Sequence, residues 1–581
     1  MITKTTKLTP DRRVLLLLMP LILAALAVVH LLDVRAGVLE SGHTWLIGRY
    51  GLVVIAVLAS AILMGSLLIQ KKWRLENAFL ITSLLFGILY SYVLPPISAP
   101  DEMRHYISSY QLSNRMMGLP AWADDGYGSQ KVPVREEDWF AEDSCGDFDP
   151  YLTADGALAT DEEGADGAKI LGQTLTEETY FLIHEKGFAW EEPRIAEHRI
   201  AADDMGLSEG TATATEVTME YGNGTALSNH HPVVTTPLAY VMPALGISLA
   251  RLIGLNSLGL MVLGRFFNLL LFTAAGYFAM KKLPFGKEVL FGTTLLPAVL
   301  NLTTSFSYDA FIMAGVFYFT AYCLHLAYAA EKVTAWDVLV LALVMALVGP
   351  CKMFYTVFMG LCLLIPVKKF DGWGRWAASA MAVMFAWIAA MVLVNSQTVA
   401  SYAMETENYI EWAGEAGYSL TELIHSPVRC IQLFYNTIMW QMEYWHMTLI
   451  GAYLGNIDTV LDVPYLLVAV FTIGLLLMAL RKPGDNLVFT GGKRMWIWFL
   501  CLLCAGAAMF SMLLAWTPVS SRIICGVQGR YFLPFLPVFL MTVKNDFVVL
   551  TKSRDREILY LMCCAEGYIV MRIFSIVCMR L

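Results

Sequence analysis

Long apolar runs are the feature that most constrains this chain. A helix of about 20 apolar residues crosses the hydrocarbon layer of a membrane, and runs near that length recur from Val14–Leu32 to Ile558–Val577. The chain is 57% hydrophobic with a mean hydropathy of +0.57, above the roughly 45–50% apolar content of soluble domains. The sequence therefore predicts an all-α polytopic integral membrane protein.

Basic clusters predict the number and direction of the spans, because Lys and Arg gather on the cytoplasmic side. Arg12 and Arg13 place the N-terminus in the cytoplasm, and the lack of a small-residue cleavage site favours a retained first helix. Pro237–Leu252 is expected at the outer interface, since a span there would leave Lys281 and Lys282 outside. About thirteen spans follow: Val14–Leu32, Tyr50–Leu68, Asn77–Leu94, Leu258–Met280, Glu288–Thr303, Tyr308–Ala329, Trp336–Val348, Met353–Val367, Trp376–Val394, Tyr465–Leu480, Met495–Trp516, Tyr531–Val543 and Ile558–Val577.

Two long polar segments divide the chain. Between Asp101 and His231 there are 27 Asp and Glu against 8 Lys and Arg. The negative net charge of the chain, −9, therefore arises from this one loop. This loop is too long for a simple connector, and we expect either a small extracytoplasmic subdomain or a solvated acidic face. The predicted order is membrane helices at 1–95, the acidic insertion at 96–232, a juxtamembrane helix and central spans at 233–395, a second outer loop at 396–464 and final spans at 465–581.

Two local patterns leave alternatives open. Trp336–Val348 and Met353–Val367 are short for full spans, and Gly349-Pro350 between them is also typical of a bent hairpin that reaches only part-way. Cys145 and Cys525 lie in polar loops, and their spacing does not decide whether they form a disulfide.

Polar residues gather at the outer ends of several predicted spans. Asp101, Glu102 and His105 follow a helix that ends at Pro95 and Pro96. They are either the ordinary first turn of a next helix or an acid-base or metal site, because His105 lies one turn after Asp101. The same face is expected to hold His230, His231, Asp309, Lys352, Glu443, His446, Arg522, Gln528 and Arg530.

Each of these residues alone also has a structural explanation. Asp309 lies where a helix N-cap is expected, and Lys352 can extend toward the membrane surface. Charged residues at membrane depth are costly and tend to mark function or buried pairs. Together they predict a cleft with a base or a metal, and with cations suited to an anionic group such as phosphate.

Familiar motifs of other classes are missing from the sequence. It contains no P-loop, no Gly-rich dinucleotide fingerprint, no His-Glu-x-x-His and no Gly-x-Ser-x-Gly. No predicted cytoplasmic loop is long enough for a nucleotide domain, and no nucleic-acid partner is expected. Any chemistry is therefore expected on the outer side, with a substrate available there.

Four stretches resemble a known family. Pro95–His105 (PPISAPDEMRH) resembles the signature of a bacterial membrane-protein family catalogued as domain of unknown function 2142. Three later stretches follow in the family's order: His231–Tyr240 (HPVVTTPLAY) with Gly264–Asn268 (GRFFN), then Ser307–Asp309 (SYD), then Val527–Pro534 (VQGRYFLP).

That family in turn resembles the polyprenyl-phosphate-dependent glycosyltransferases of the GT-C fold. Their pattern includes an acidic pair in the first outer loop, a Pro-Pro-Leu-Tyr-Tyr-like stretch and a lipid-phosphate donor. Here the second proline of that stretch is Pro237 and the first is displaced to Pro232. This sequence also adds two spans before the acidic pair, where the GT-C pattern usually has one.

The resemblance implies roles for individual residues. Asp101 would be the catalytic base, Glu102 an alternative base or metal ligand, and His105 the residue that orients the base. The cofactor stays undetermined, a divalent cation being one option. The implied substrate-binding and phosphate-binding residues are His231, Tyr240, Arg265, Asp309, Lys352, Tyr355, Arg522, Gln528, Arg530 and Tyr531.

The leading functional hypothesis is an integral-membrane glycosyltransferase of the bacterial plasma membrane. It would move a sugar from a polyprenyl-phosphate lipid to a cell-envelope glycan or protein on the extracytoplasmic face. A transporter or flippase for a lipid-linked envelope precursor is the main alternative. A non-catalytic envelope assembly protein is the third, and it would tolerate Ala at Asp101 and Glu102.

Overall fold

A computed structural model describes the chain over residues 9–124, 130–135, 138, 151–152, 158–159, 225–228, 231–233, 236–403, 408–455, 458–485 and 489–579. These residues are mostly helical, and their strands form only two-stranded antiparallel pairs. The helices are α1 (Pro10–Ser41), α2 (Trp45–Met64), α3 (Leu75–Val93), α4 (Glu102–Met116), α5 (Val241–Leu252), α6 (Ser257–Lys282), α7 (Lys287–Thr294), α8 (Pro297–Thr303), α9 (Asp309–Tyr328), α10 (Ala335–Val348), α11 (Trp373–Ala403), α12 (Leu420–His425), α13 (Pro427–Ile450), α14 (Tyr465–Ala479), α15 (Gly491–Trp516), α16 (Leu536–Met541) and α17 (Asp555–Cys578).

The strands are short and lie between the helices. A π-helical turn, Gly65–Gln70, extends α2, and the 3₁₀ segments of four or more described residues are Pro237–Tyr240, Met353–Leu364, Val367–Phe370 and Gly529–Phe535. The strands are β1 (Ala123–Asp124), β2 (Gln130–Lys131), β3 (Pro133–Arg135), β4 (Tyr151–Leu152), β5 (Leu158–Ala159), β6 (Thr225–Leu227), β7 (Tyr409–Ile410), β8 (Glu415–Ala416), β9 (Tyr453–Leu454) and β10 (Asp458–Asp462).

The prediction of an all-α polytopic membrane protein is confirmed. Over the described residues, eight helices are long and apolar enough to cross a membrane: α1, α2 with its π-helical turn, α3, α6, α9, α11, α15 and α17. The predicted span Glu288–Thr303 instead divides into α7 and α8. Pro297 explains the break, because a proline supplies no N–H for a continuous helix and is favoured in the first turn of a new one.

The two short segments before and after Gly349-Pro350 form the arms of the hairpin that the sequence left as an alternative. One arm is α10, with 14 residues. The other is the 12-residue 3₁₀ helix Met353–Leu364, which at about 2 Å per residue reaches roughly 24 Å. Neither arm has the length of a full span, and Lys352 lies at the turn between them.

Helix α4 and the Pro237–Leu252 segment pack against each other. The hydroxyls of Ser113 and Ser248 are 2.8 Å apart, and Arg251 donates to Asn114. Part of the acidic insertion lies on the same helix, since β3 pairs with β6 and Val134 packs in one cluster with Tyr110. The helix that carries the candidate base is thus supported from two sides.

Ion pairs gather where α1 and α17 begin. Arg12 contacts Glu557 at 2.6 Å, and Lys482 contacts Asp555 at 2.5 Å. We call this region the basic end. Helix α9 is about 30 Å long, at 1.5 Å per residue. It begins at Asp309, at the end of the molecule that we call the site end, and runs toward the basic end.

Candidate functional site

Asp101 enters α4 in the left-handed backbone region, with φ +56°. Pro95 and Pro96 prevent α3 from continuing, and Ile97 in the same turn also has a positive φ, +65°. Such conformations cost a non-glycine residue roughly 1–2 kcal/mol, and they persist where surrounding contacts determine them. Asp101 is therefore held in place by its neighbours, with 60% of its side chain exposed.

Glu102 supplies those contacts. Its carboxylate accepts the backbone N–H of Ala99 and of Phe306, each at 2.9 Å. The Nε of Arg265 lies 3.1 Å from the same carboxylate, and both side chains are fully buried. Glu102 thus ties the turn before α4 to α6 and to the segment between α8 and α9.

Asp101 heads an alternating chain of charges. Its carboxylate lies 3.0 Å from the guanidinium of Arg530. Arg530 also faces Asp309 at 3.9 Å, and Asp309 accepts from the ammonium of Lys352 at 2.7 Å. Arg530, Asp309 and Lys352 are nearly buried, with side chains 8, 9 and 13% exposed. Two cations and one carboxylate therefore lie below a single accessible acid, Asp101.

Aromatic rings enclose this chain. The Lys352 ammonium lies 4.7 Å from the ring centre of Tyr308 and 4.6 Å from that of Tyr531, a cation-π arrangement. His105 packs edge-on against Tyr308 with ring centres 4.6 Å apart. The Nδ1 atom of His105 shares a 2.8 Å hydrogen bond with the hydroxyl of Tyr240.

The site shifts two pKa values in ways that matter for chemistry. Burial lowers the pKa of His105 to about 3, although the nearby Asp101 and Asp309 act to raise it, so its imidazole is neutral at physiological pH. Desolvation acts to raise the pKa of Asp101, but the charge and the hydrogen bond of the Arg530 guanidinium, together with nearby groups such as Lys352, outweigh this and lower the pKa below its ordinary value. Asp101 is therefore a carboxylate.

Both cations are positioned by 3₁₀ helices. Lys352 immediately precedes Met353–Leu364, and Arg530 lies in Gly529–Phe535. The two helices are joined because the hydroxyl of Tyr355 donates to the Tyr531 carbonyl at 2.9 Å. Two buried atoms here, the Nε of Arg530 and the Oε1 of Gln528, have no hydrogen-bond partner within the described residues.

The structure brings most of the sequence-predicted residues together. Asp101, His105, Tyr240, Asp309, Lys352, Tyr355, Arg530 and Tyr531 form one connected cluster, and Glu102 with Arg265 forms the adjacent clamp.

Three of the predicted substrate-binding residues stand apart from the chain of charges. His231 is exposed. Arg522 has an exposed side chain, and its carbonyl accepts from Asn436. Gln528 precedes the Arg530 helix, and its carbonyl accepts the Tyr531 N–H. The roles predicted for these three in substrate binding stay predictions.

Sequence reasoning missed Tyr308 and Ser108. Tyr308 contacts both His105 and Lys352, and the hydroxyl of Ser108 bonds Tyr240 and accepts the Val233 N–H. Tyr308 is the middle residue of the quoted Ser-Tyr-Asp stretch, so the signal was present. Ser108 has no comparable signal.

The donor set of the site does not match a metal centre. The carboxylate of Asp101 faces a guanidinium, and that of Glu102 already binds Arg265 and two backbone N–H groups. In the part of the chain that the structure describes, no group of three or more His, Cys, Asp or Glu side chains could hold a metal ion. Of the two predicted loop cysteines, Cys145 lies outside the described residues.

The fold and the site define a multi-pass membrane protein with a charged site at one end of its helices. Comparison with known families agrees: the model of the family DUF2142, described as a predicted membrane protein, matches residues 84–539. The chain belongs to this family, as the four sequence stretches predict. No curated protein and no solved structure matches the chain.

Proposed function

We propose that this protein is a glycosyltransferase that moves a sugar from a polyprenyl-phosphate lipid to a cell-envelope acceptor. One observation carries the proposal: an accessible carboxylate, Asp101, lies 3.0 Å from Arg530, with Lys352 next in the same chain of charges. A base for a hydroxyl and cations for a phosphate are therefore side by side. The GT-C resemblance supports the same reading and supplies the class of donor.

In the proposed reaction, Asp101 accepts the proton of the acceptor hydroxyl while that oxygen forms a bond to the anomeric carbon of the sugar. The bond between that carbon and the phosphate oxygen breaks, and its electron pair leaves with the polyprenyl phosphate. Arg530 and Lys352 would stabilise the charge that develops on the leaving phosphate. The proton on Asp101 then passes to solvent.

Arg530 also couples phosphate binding to the strength of the base. In the free protein its guanidinium lowers the pKa of Asp101 and weakens it as a base. A donor phosphate competes with Asp101 for the same guanidinium, and the unpaired Nε of Arg530 can donate a hydrogen bond to that phosphate. The loss of this partner raises the pKa of Asp101 toward its ordinary value, so the base becomes stronger when the donor is present.

The burial of Lys352 and Arg530 favours a phosphate at membrane level over a free sugar nucleotide. Both cations lie among aromatic rings at the ends of short membrane helices. A lipid carrier delivers its phosphate to that depth, whereas a soluble donor would have to leave water.

Transfer of radiolabelled sugar tests the proposal. The purified full-length protein in liposomes is given a panel of polyprenyl-phosphate sugars together with envelope material. We expect label in the polymer or protein fraction with at least one donor, and none when the acceptor is left out. Movement of labelled lipid between leaflets with no transfer from any donor would contradict the glycosyltransferase function and support the transporter hypothesis.

A further inference from the structure

The basic end contains a cavity that the proposed chemistry does not use. Its volume is about 260 Å³, far more than a single water molecule needs. Its walls come from the starts of α1, α3, α7 and α17 and from the segments before α3 and α17. The charged side chains that line it are Arg12, Lys72, Glu288, Asp555, Arg556 and Glu557.

The carboxylates of the cavity already have cationic partners. Glu557 contacts Arg12 at 2.6 Å, and Asp555 contacts Lys482 at 2.5 Å. Glu288 faces Lys482 at 3.8 Å and Lys544 at 3.7 Å. The negative charge of the lining is thus compensated from within the protein.

Two cations of the lining, Arg556 and Lys72, form no ion pair within the described segments. Arg556 donates to the backbone carbonyl of Leu68 at 3.3 Å. The neighbouring Asp555 and Glu557, each already paired with another cation, offset part of its charge. Lys72 is exposed, in a segment where its backbone has φ +45°. A guanidinium fork and an ammonium beside one cavity suit an anion with several oxygens, above all a phosphate.

The outer face of α1 indicates the depth of the cavity in the membrane. Val14, Leu17 and Leu21 are 59, 69 and 66% exposed and form an apolar surface on the side of α1 opposite to Arg12. In a membrane this surface meets acyl chains, so Arg12 and the cavity lie at the level of the lipid headgroups. Basic pockets between membrane helices bind anionic headgroups in this way.

We propose that the basic-end cavity binds the phosphate of an anionic phospholipid through Arg556 and Lys72. The proposal does not depend on the activity at the site end. It assigns the second site to a lipid that stays bound, not to one that reacts.

Equilibrium binding of radiolabelled phosphatidylglycerol to the full-length protein in detergent micelles tests this assignment. The double variant Lys72→Gln/Arg556→Gln should bind the lipid at least about tenfold more weakly than wild type. The matched control is Lys71→Gln/Arg74→Gln. It removes two exposed charges from the same segment, at residues that do not line the cavity. Its affinity should change less than about twofold. If Arg556 proves necessary for folding, Lys72→Gln alone should still weaken binding.

Competition distinguishes the sources of the phosphate. Unlabelled phosphatidylglycerol should displace the bound lipid, whereas phosphatidylcholine and inorganic phosphate at the same concentration should not. Equal loss of binding in the two double variants would overturn the proposal, because it would show attraction to surface charge alone. Displacement by phosphatidylcholine would contradict the proposed selectivity for anionic lipids. Equal displacement by inorganic phosphate would contradict the assignment of the site to a lipid.

Discussion

Asp101 and Glu102 are adjacent in sequence, and their surroundings separate their roles. Glu102 is fully buried and its carboxylate binds Arg265 and two backbone N–H groups. Asp101 is exposed, and among the described residues its carboxylate forms one ion pair, with Arg530 at 3.0 Å. We infer that Glu102 holds the turn in which Asp101 is presented, and that Asp101 meets the substrate.

Replacing Glu102 tests the structural half of this division. Glu102→Gln keeps the shape of the side chain but leaves Arg265 buried without this carboxylate, which typically costs about 3–5 kcal/mol. Chemical unfolding in detergent micelles should show that loss. The control Glu422→Gln, in an exposed capping box that also accepts Gln, should change the free energy of unfolding by less than about 0.5 kcal/mol. Equal stability of the Glu102→Gln and wild-type proteins would contradict the clamp.

His105 makes a pH-dependent contribution to stability. Its pKa is about 3 in the folded protein against an ordinary 6.5, so the unfolded chain takes up the proton first and stability falls as the pH drops below 6.5. Between pH 6.5 and 5 the wild type should lose about 2 kcal/mol more than His105→Gln, at about 1.4 kcal/mol per pH unit. Asp101 does not contribute in this window, because its pKa is below the ordinary 3.8.

Unfolding measured at several pH values in both proteins checks this expectation. The comparison cancels the titration of all groups that the two proteins share. Parallel pH dependences would contradict the lowered pKa, because they would show that His105 takes up its proton equally in the folded and the unfolded protein.

At the scale of elements, the position of Arg530 depends on how closely its 3₁₀ helix approaches α13. The N–H of Gly529 donates to the hydroxyl of Thr448 at 2.8 Å, and the indole of Trp445 donates to the Val527 carbonyl. A Cβ at Gly529 would overlap the backbone carbonyl oxygen of Trp445 and the backbone nitrogen of Leu449. Backbone cannot yield as a flexible side chain does, so only glycine fits this contact.

Gly529→Ala should therefore push the Arg530 helix away from α13. We expect the rate of sugar transfer to fall at least about tenfold and the protein to become less stable. Gly506→Ala is the control, since it lies within α15 and a Cβ there meets nothing within 4 Å. Because Ala is favoured in helices by about 0.5–1 kcal/mol, Gly506→Ala should be fully active and slightly more stable. Full activity of Gly529→Ala would show that the contact does not position Arg530.

At the scale of the whole molecule, apolar run length predicts the fold class because it follows from membrane thickness. It does not predict where a run is interrupted. The segment Glu288–Thr303 reads as one span, yet Pro297 divides it into α7 and α8. The 12-residue 3₁₀ helix Met353–Leu364 has no sequence signal either, since such long runs are uncommon.

The candidate site is predicted in part for a similar reason. Charges at the ends of spans mark which residues are costly to place in a membrane, and Asp101, Asp309, Lys352 and Arg530 do meet. Which charged residues pair with each other depends on the tertiary structure. The pairing of Glu102 with Arg265 joins residues 163 positions apart, and nothing local to either residue indicates it.

The central claim is that the charge of Asp101 drives sugar transfer, and one comparison of two variants tests it most directly. Asp101→Asn removes the charge and keeps a residue that tolerates left-handed backbone. Asp371→Asn is a close match: Asp371 also has φ +56° and contacts two cations, Arg375 and Lys332, but lies outside the site. Transfer rates in liposomes, corrected for folded protein, are measured for both. The account predicts a loss of about 10²- to 10⁴-fold for Asp101→Asn and wild-type activity for Asp371→Asn. Wild-type transfer by correctly inserted Asp101→Asn would contradict the account.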